Sequence, residues 1–113
     1  MSDSSLDIAI LNNELIRRIV DSVCGIYKSN ILEIILYGFV ARRENHEFSD
    51  LDVALIIKSE NSEMMDAFVD LDLEYDQVIS PALIEADHFE KWKNVLPYYA
   101  NIRNEGIVLW KAA

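Results

Sequence analysis

Two short, almost unbroken apolar runs constrain this chain most: Ile31-Leu32-Glu33-Ile34-Ile35-Leu36 and Val53-Ala54-Leu55-Ile56-Ile57. Their length and richness in branched residues read as β-strands, and their apolar character on both alternating faces predicts burial on both sides, side by side at the centre of one sheet. Such a sheet needs helices on each face. Between the runs lies the polar loop Gly38 to Ser49, and the second strand opens with Asp50 and Asp52. Strand side chains alternate, so these two carboxylates share a face. Two like charges on one face repel unless a cation offsets them. Beside a loop that begins with Gly, at the end of a buried strand, they form a site suited to a hard divalent cation and the phosphates it escorts.

The rest of the chain supplies the helices. Leu15, Ile16, Ile19, Val20, Val23, Cys24 and Tyr27 recur at helical spacing, with Asn12 or Asn13 as the expected N-cap. Ser62 to Tyr75 returns to that period, with Met65, Phe68, Val69 and Leu73 expected inward and Asp66, Asp70, Asp72 and Glu74 outward. Val78 to Ile84 reads as a third strand, which Pro81 assigns to an edge or a bulge. Asp87 is placed to cap a short helix containing Phe89 and Trp92. Pro97 separates it from a helical segment, Tyr98 to Glu105, that Gly106 ends. Ile107 to Trp110 closes as a short apolar strand or packed tail. The aromatic residues Trp92, Tyr98, Tyr99 and Trp110 suit a small core better than a partner patch, and Tyr37 and Tyr75 are expected in the core or at its rim. His46 and His88 read as solvated.

At 113 residues the chain is expected to be one domain, 1–113, with 1–11 flexible. Twenty acidic residues against ten basic ones give a net charge of -10, which argues against direct nucleic-acid binding and suits a basic protein partner. A single cysteine, Cys24, excludes an internal disulfide and fits a small apolar filler on a helix. The N-terminus lacks the basic start and apolar run of a secretory signal, and no apolar stretch approaches a membrane span; the expectation is a cytoplasmic protein.

The order helix, strand, Gly-led loop, strand with Asp-x-Asp, helix, strand resembles the minimal nucleotidyltransferases of the DNA polymerase beta superfamily. The resemblance rests on Ile35-Leu36-Tyr37-Gly38, Ala41-Arg42 with Glu44-Asn45, Ser49-Asp50-Leu51-Asp52-Val53-Ala54-Leu55, and the tail Pro97 to Leu109. It implies a small α/β (α+β) nucleotidyltransferase fold, with a central mixed sheet flanked by helices. It also implies that Asp50 and Asp52 bind Mg²⁺ bridging the phosphates of ATP, and that Gly38, residue 39 and Arg42 lie along those phosphates. Arg42 equally suits an ion pair with Glu44 or Glu47. A third catalytic carboxylate from the next strand is usual in that family, and Asp76 is the candidate, although a turn residue explains Asp76 as well. The chain departs from the family at Phe39, where Ser or Gly is normal, and at Arg43, often Gly. Small members of the family commonly act as antitoxins that transfer AMP to a tyrosine of an all-helical HEPN ribonuclease toxin. The implied partner is a cationic helical protein of that kind, with a homo-oligomer also compatible. The alternative is a module that keeps the fold, loses catalysis through Phe39, and neutralises a toxin by stoichiometric docking.

Overall fold

The computed structural model describes residues 14–37, 51–59, 63–75 and 79–112. Helix α1 (Glu14–Tyr27) leads through a 3-10 turn at Lys28–Asn30 into β1 (Ile31–Tyr37), followed by β2 (Leu51–Ile57), α2 (Met64–Tyr75), β3 (Ile79–Glu85), α3 (Ala86–Trp92), α4 (Pro97–Glu105) and β4 (Ile107–Lys111). The strands form one mixed sheet in the order β3-β2-β1-β4. β1 runs antiparallel to β2 and β4, and β2 runs parallel to β3. The two apolar runs therefore occupy the centre, as their two-sided hydrophobicity requires. Pro81 sits in β3, an edge strand, where its missing N–H leaves no partner strand unsatisfied.

Each face of the sheet carries its own core. On one, Ile16, Ile19 and Val23 of α1 and Met64, Phe68 and Leu71 of α2 cover Ile34, Leu36, Val53 and Leu55. On the other, Phe89 of α3 with Tyr99 and Ile102 of α4 covers Ile35, Ala54, Ile56 and Ile84. A register shift between Ile31 and Glu33 breaks the alternation of β1. Leu32 and Glu33 then both face the second layer: Leu32 packs with its core and Glu33 bonds Arg103 of α4. At the far end of the β1–β2 pair, the Asn30 side chain donates to the Ser59 carbonyl at 2.8 Å and accepts from the Ser59 N–H at 3.0 Å.

Several expectations need correction. Helix α2 is turned from the expected phase: Met64, Phe68 and Leu71 are buried, while Met65, Val69 and Leu73 are exposed. Asp72, expected outward, is half-buried, and its Oδ1 accepts the Ile79 N–H at 2.9 Å, joining the end of α2 to the start of β3. Asp87 lies in the first turn of α3, and the N-cap is Glu85, without a side-chain cap bond. Pro97 does not precede α4 but begins it, at a position where its missing N–H costs nothing. Gly106 does end α4, its N–H reaching the Ile102 carbonyl at 3.0 Å, but with φ of −74° it does so in extended rather than left-handed backbone. What requires glycine there is closeness: a Cβ would strike the Ile102 carbonyl oxygen and Cγ2 of Ile35. The N-cap candidates Asn12 and Asn13 and the loop histidine His46 lie outside the described residues.

Candidate functional site

Of the residues the sequence assigns to a site, Asp52 is described; Asp50, Asp76, Gly38, Phe39 and Arg42 lie outside the described residues. Leu51 and Val53 point into the core beneath α1 and α2, so strand alternation turns Asp52 toward the layer of α3 and α4. It is half-buried near the start of β2. Across the antiparallel ladder it stands opposite Tyr37, the last residue of β1, and across the parallel ladder it stands beside Ser80 of β3. One lateral row, Tyr37–Asp52–Ser80, thus spans three strands on a single face, with Cβ atoms of opposed pairs about 5 Å apart in such ladders.

Aromatic residues of α4 adjoin the Tyr37 end of this row. The Tyr37 and Tyr98 hydroxyls are 2.7 Å apart, and their rings meet edge to face with centroids 5.9 Å apart. Beside them, the Tyr99 hydroxyl lies 2.7 Å from Nδ1 of His88. His88 is exposed, as expected of this helix-start histidine, and its ring nitrogen has a partner as well. Tyr99 belongs to the core, whereas Tyr98 is half-exposed. Burial raises the Tyr37 phenol above its ordinary range, and the hydrogen bond to Tyr98 and the negative charge of Asp52 push it the same way. Tyr37 therefore keeps its proton at neutral pH and stands beside Asp52 as an uncharged hydroxyl.

The donor set on this row is oxygen throughout: one carboxylate and the hydroxyls of Tyr37 and Ser80. Among the described residues, that chemistry fits a hard cation such as Mg²⁺ better than a soft metal. Among the described residues no group of three or more His, Cys, Asp or Glu is disposed to hold a metal, so further carboxylates would have to come from outside them. A groove of about 500 Å³ between α1 and α2, lined by Arg18, Asp21, Asp70 and Glu74 among others, lies on the opposite face of the sheet from Asp52. Its three acids against one arginine disfavour phosphate.

Reading the sequence missed the Tyr37–Tyr98 and His88–Tyr99 pairs; Ser80, mid-strand where the resemblance leads one to expect an acid, stands beside Asp52. The alternation of Ile79, Ser80 and Pro81 carried the parity of Ser80, but not its register against β2.

The comparisons with known proteins agree with this architecture. The family described as nucleotidyltransferase domain matches residues 16–108. A Methanocaldococcus jannaschii protein, provisionally named a protein adenylyltransferase, is 30% identical over 95 residues, covering 84% of this chain and 94% of the relative. A Sulfolobus solfataricus crystal structure, provisionally described as a nucleotidyltransferase, superposes with a TM-score of 0.53 at 18% identity, covering 98% of this chain and 90% of that one. A toxin–antitoxin crystal structure with AMP-PNP gives a TM-score of 0.56 at 15% identity over 86% of this chain and 73% of that one. The two structures establish a shared fold. No described helix is long and apolar enough to cross a membrane. Because the family match runs from within α1 into β4 and takes in the whole Tyr37–Asp52–Ser80 row, the chain belongs to the nucleotidyltransferase domain family.

Proposed function

We propose that this chain is a cytoplasmic protein adenylyltransferase that moves AMP from ATP to a hydroxyl, a tyrosine in the first instance, of a cationic helical HEPN-type toxin. The observation that carries the reading is the match to a relative provisionally named for that activity along 94% of the relative's length. The toxin–antitoxin neighbour with AMP-PNP supports the kind of partner, and the net charge of -10 supports its sign. Asp50 and Asp52 hold Mg²⁺ in this reading; Gly38, Phe39 and Arg42 lie along the phosphates; Asp76 is the third carboxylate. A cation held there would offset charge developing on the phosphates. Asp52 is held in place by strand pairing on both sides, so it needs little reorganisation to meet that charge. Tyr37, protonated, adds a neutral donor beside it.

Ser80 favours a second reading. A hydroxyl rather than a carboxylate flanks Asp52 on β3, and together with Phe39 this suits a docking module that masks its toxin without transfer. Mass spectrometry of the toxin after incubation with the chain, ATP and Mg²⁺ separates the two. Transfer predicts AMP on a toxin hydroxyl at substoichiometric chain, lost in Asp50→Asn with Asp52→Asn. Silencing at one-to-one stoichiometry without an adduct would overturn the enzymatic reading.

A further inference from the structure

The chain carries a tyrosine hydroxyl of its own at the edge of its site. Tyr98 Oη lies 2.7 Å from Tyr37 Oη, and Tyr37 is the direct cross-strand partner of Asp52. Tyr98 follows Pro97 at the start of α4, after a turn in which Val95 and Leu96 are also exposed, and 47% of its own surface is open. Two further tyrosines whose side chains are described, Tyr75 and Tyr99, are excluded by place. Tyr75 bonds Glu14 on α1, in the layer on the far face of the sheet, and Tyr99 is buried with its hydroxyl engaged by His88. Tyr37 is the more enclosed of the bonded pair and holds its proton firmly. Among the tyrosines whose side chains are described, Tyr98 alone combines an accessible phenol with a hydrogen bond to the cross-strand partner of Asp52.

We propose that Tyr98 is a site of self-adenylylation, an inference that rests on the nucleotidyltransferase reading above. The Tyr98 phenol oxygen attacks the α-phosphorus of ATP. A bond forms between Oη and the α-phosphorus, the bond from that phosphorus to the oxygen bridging the β-phosphorus breaks, pyrophosphate leaves with the electron pair, and the phenol proton passes to water. The hydrogen bond between Tyr37 and Tyr98 holds the Tyr98 oxygen at the Tyr37 end of the row, and the exposed half of the residue leaves room for an in-line approach. The AMP ester would stand at the mouth of the site, against the Tyr37 end of the row.

The purified chain, incubated alone with ATP and Mg²⁺, tests this by intact-mass and tandem mass spectrometry. The expected result is one AMP added and mapped to Tyr98, absent in Tyr98→Phe and in Asp52→Asn, and retained in Tyr75→Phe. Tyr98→Phe removes a half-exposed hydroxyl and its bond to Tyr37, and circular dichroism should show its fold unchanged; the mapping on the unaltered chain stands independently of any variant. An adduct mapped elsewhere, or one undiminished in Tyr98→Phe, overturns the assignment. So does the absence of any adduct on a chain that binds Mg-ATP by calorimetry and transfers AMP to the toxin, in which case the proposed function survives. A chain that neither binds Mg-ATP nor transfers AMP to any acceptor overturns both.

Discussion

Arg103 grips Glu33 with two parallel hydrogen bonds, Nη1 to Oε2 at 3.0 Å and Nη2 to Oε1 at 2.9 Å, and so ties α4 to β1. The guanidinium also lies over the Phe89 ring, 5.1 Å from its centroid. The Glu33 side chain is only 11% exposed, whereas that of Arg103 is 36% exposed, and the partners are therefore unequal. Arg103→Ala leaves a buried carboxylate without its donor and should destabilise the fold by about 2 kcal/mol in urea denaturation. Glu33→Gln leaves a guanidinium that can turn to water and should cost about 1 kcal/mol. Equal losses in the two variants would refute this asymmetry.

Gly106→Ala should lower the melting temperature, with a cost of about 1–3 kcal/mol, because the new methyl meets both a backbone oxygen and the Ile35 side chain. Trimming Ile35 in the same chain should not restore stability, since the Ile102 carbonyl cannot be trimmed. Recovery in the Gly106→Ala, Ile35→Ala double variant would show the side-chain contact to be the whole cause.

The phase of α2 is tested by neighbours two positions apart. Leu71 is fully enclosed and Leu73 is 81% exposed. Leu71→Ala should cost about 2–5 kcal/mol, and Leu73→Lys less than about 0.5 kcal/mol. Chemical denaturation of the two variants checks the orientation directly.

Tyr37 gives the fold a pH dependence of known sign. Its folded-state pKa lies above the ordinary value of 10.0, so its contribution to stability is complete below that pH and is lost as pH rises from there toward the folded value. Stability should fall through the alkaline range, and Tyr37→Phe should flatten that fall. Denaturation at a series of alkaline pH values, with phenolate absorbance followed in parallel, tests it; an unchanged slope in Tyr37→Phe would count against it.

The central strands were legible because their burial is two-sided and leaves no choice of layer, and Pro81 marked β3 as an edge or a bulge because a missing N–H is a local fact. The phase of α2 was not legible. Met64, Met65, Phe68, Val69, Leu71 and Leu73 together offer two overlapping apolar faces, and only packing against β2 and α1 selects between them. Of the site, the sequence supplied Asp52 and its place near the start of the second strand, while the layer it faces is set by packing. Its neighbours Tyr37 and Ser80 depend on register, and Tyr98 on how α4 crosses the sheet; both are set by contacts between residues far apart in the chain.

The strand that ends in Tyr37 is interior, bounded by β2 on one side and β4 on the other. Its pairing with β4 joins Glu33 to Lys111 and Leu36 to Ile107, across most of the described chain. Closing so long a loop is slow, and contacts of that range form late in folding. The hairpin-like pairing of β1 with β2 is available early, but α4, delivered by the same late closure, brings Tyr98 to Tyr37. During refolding, the site should therefore acquire its Tyr37–Asp52 pair before it acquires its aromatic wall.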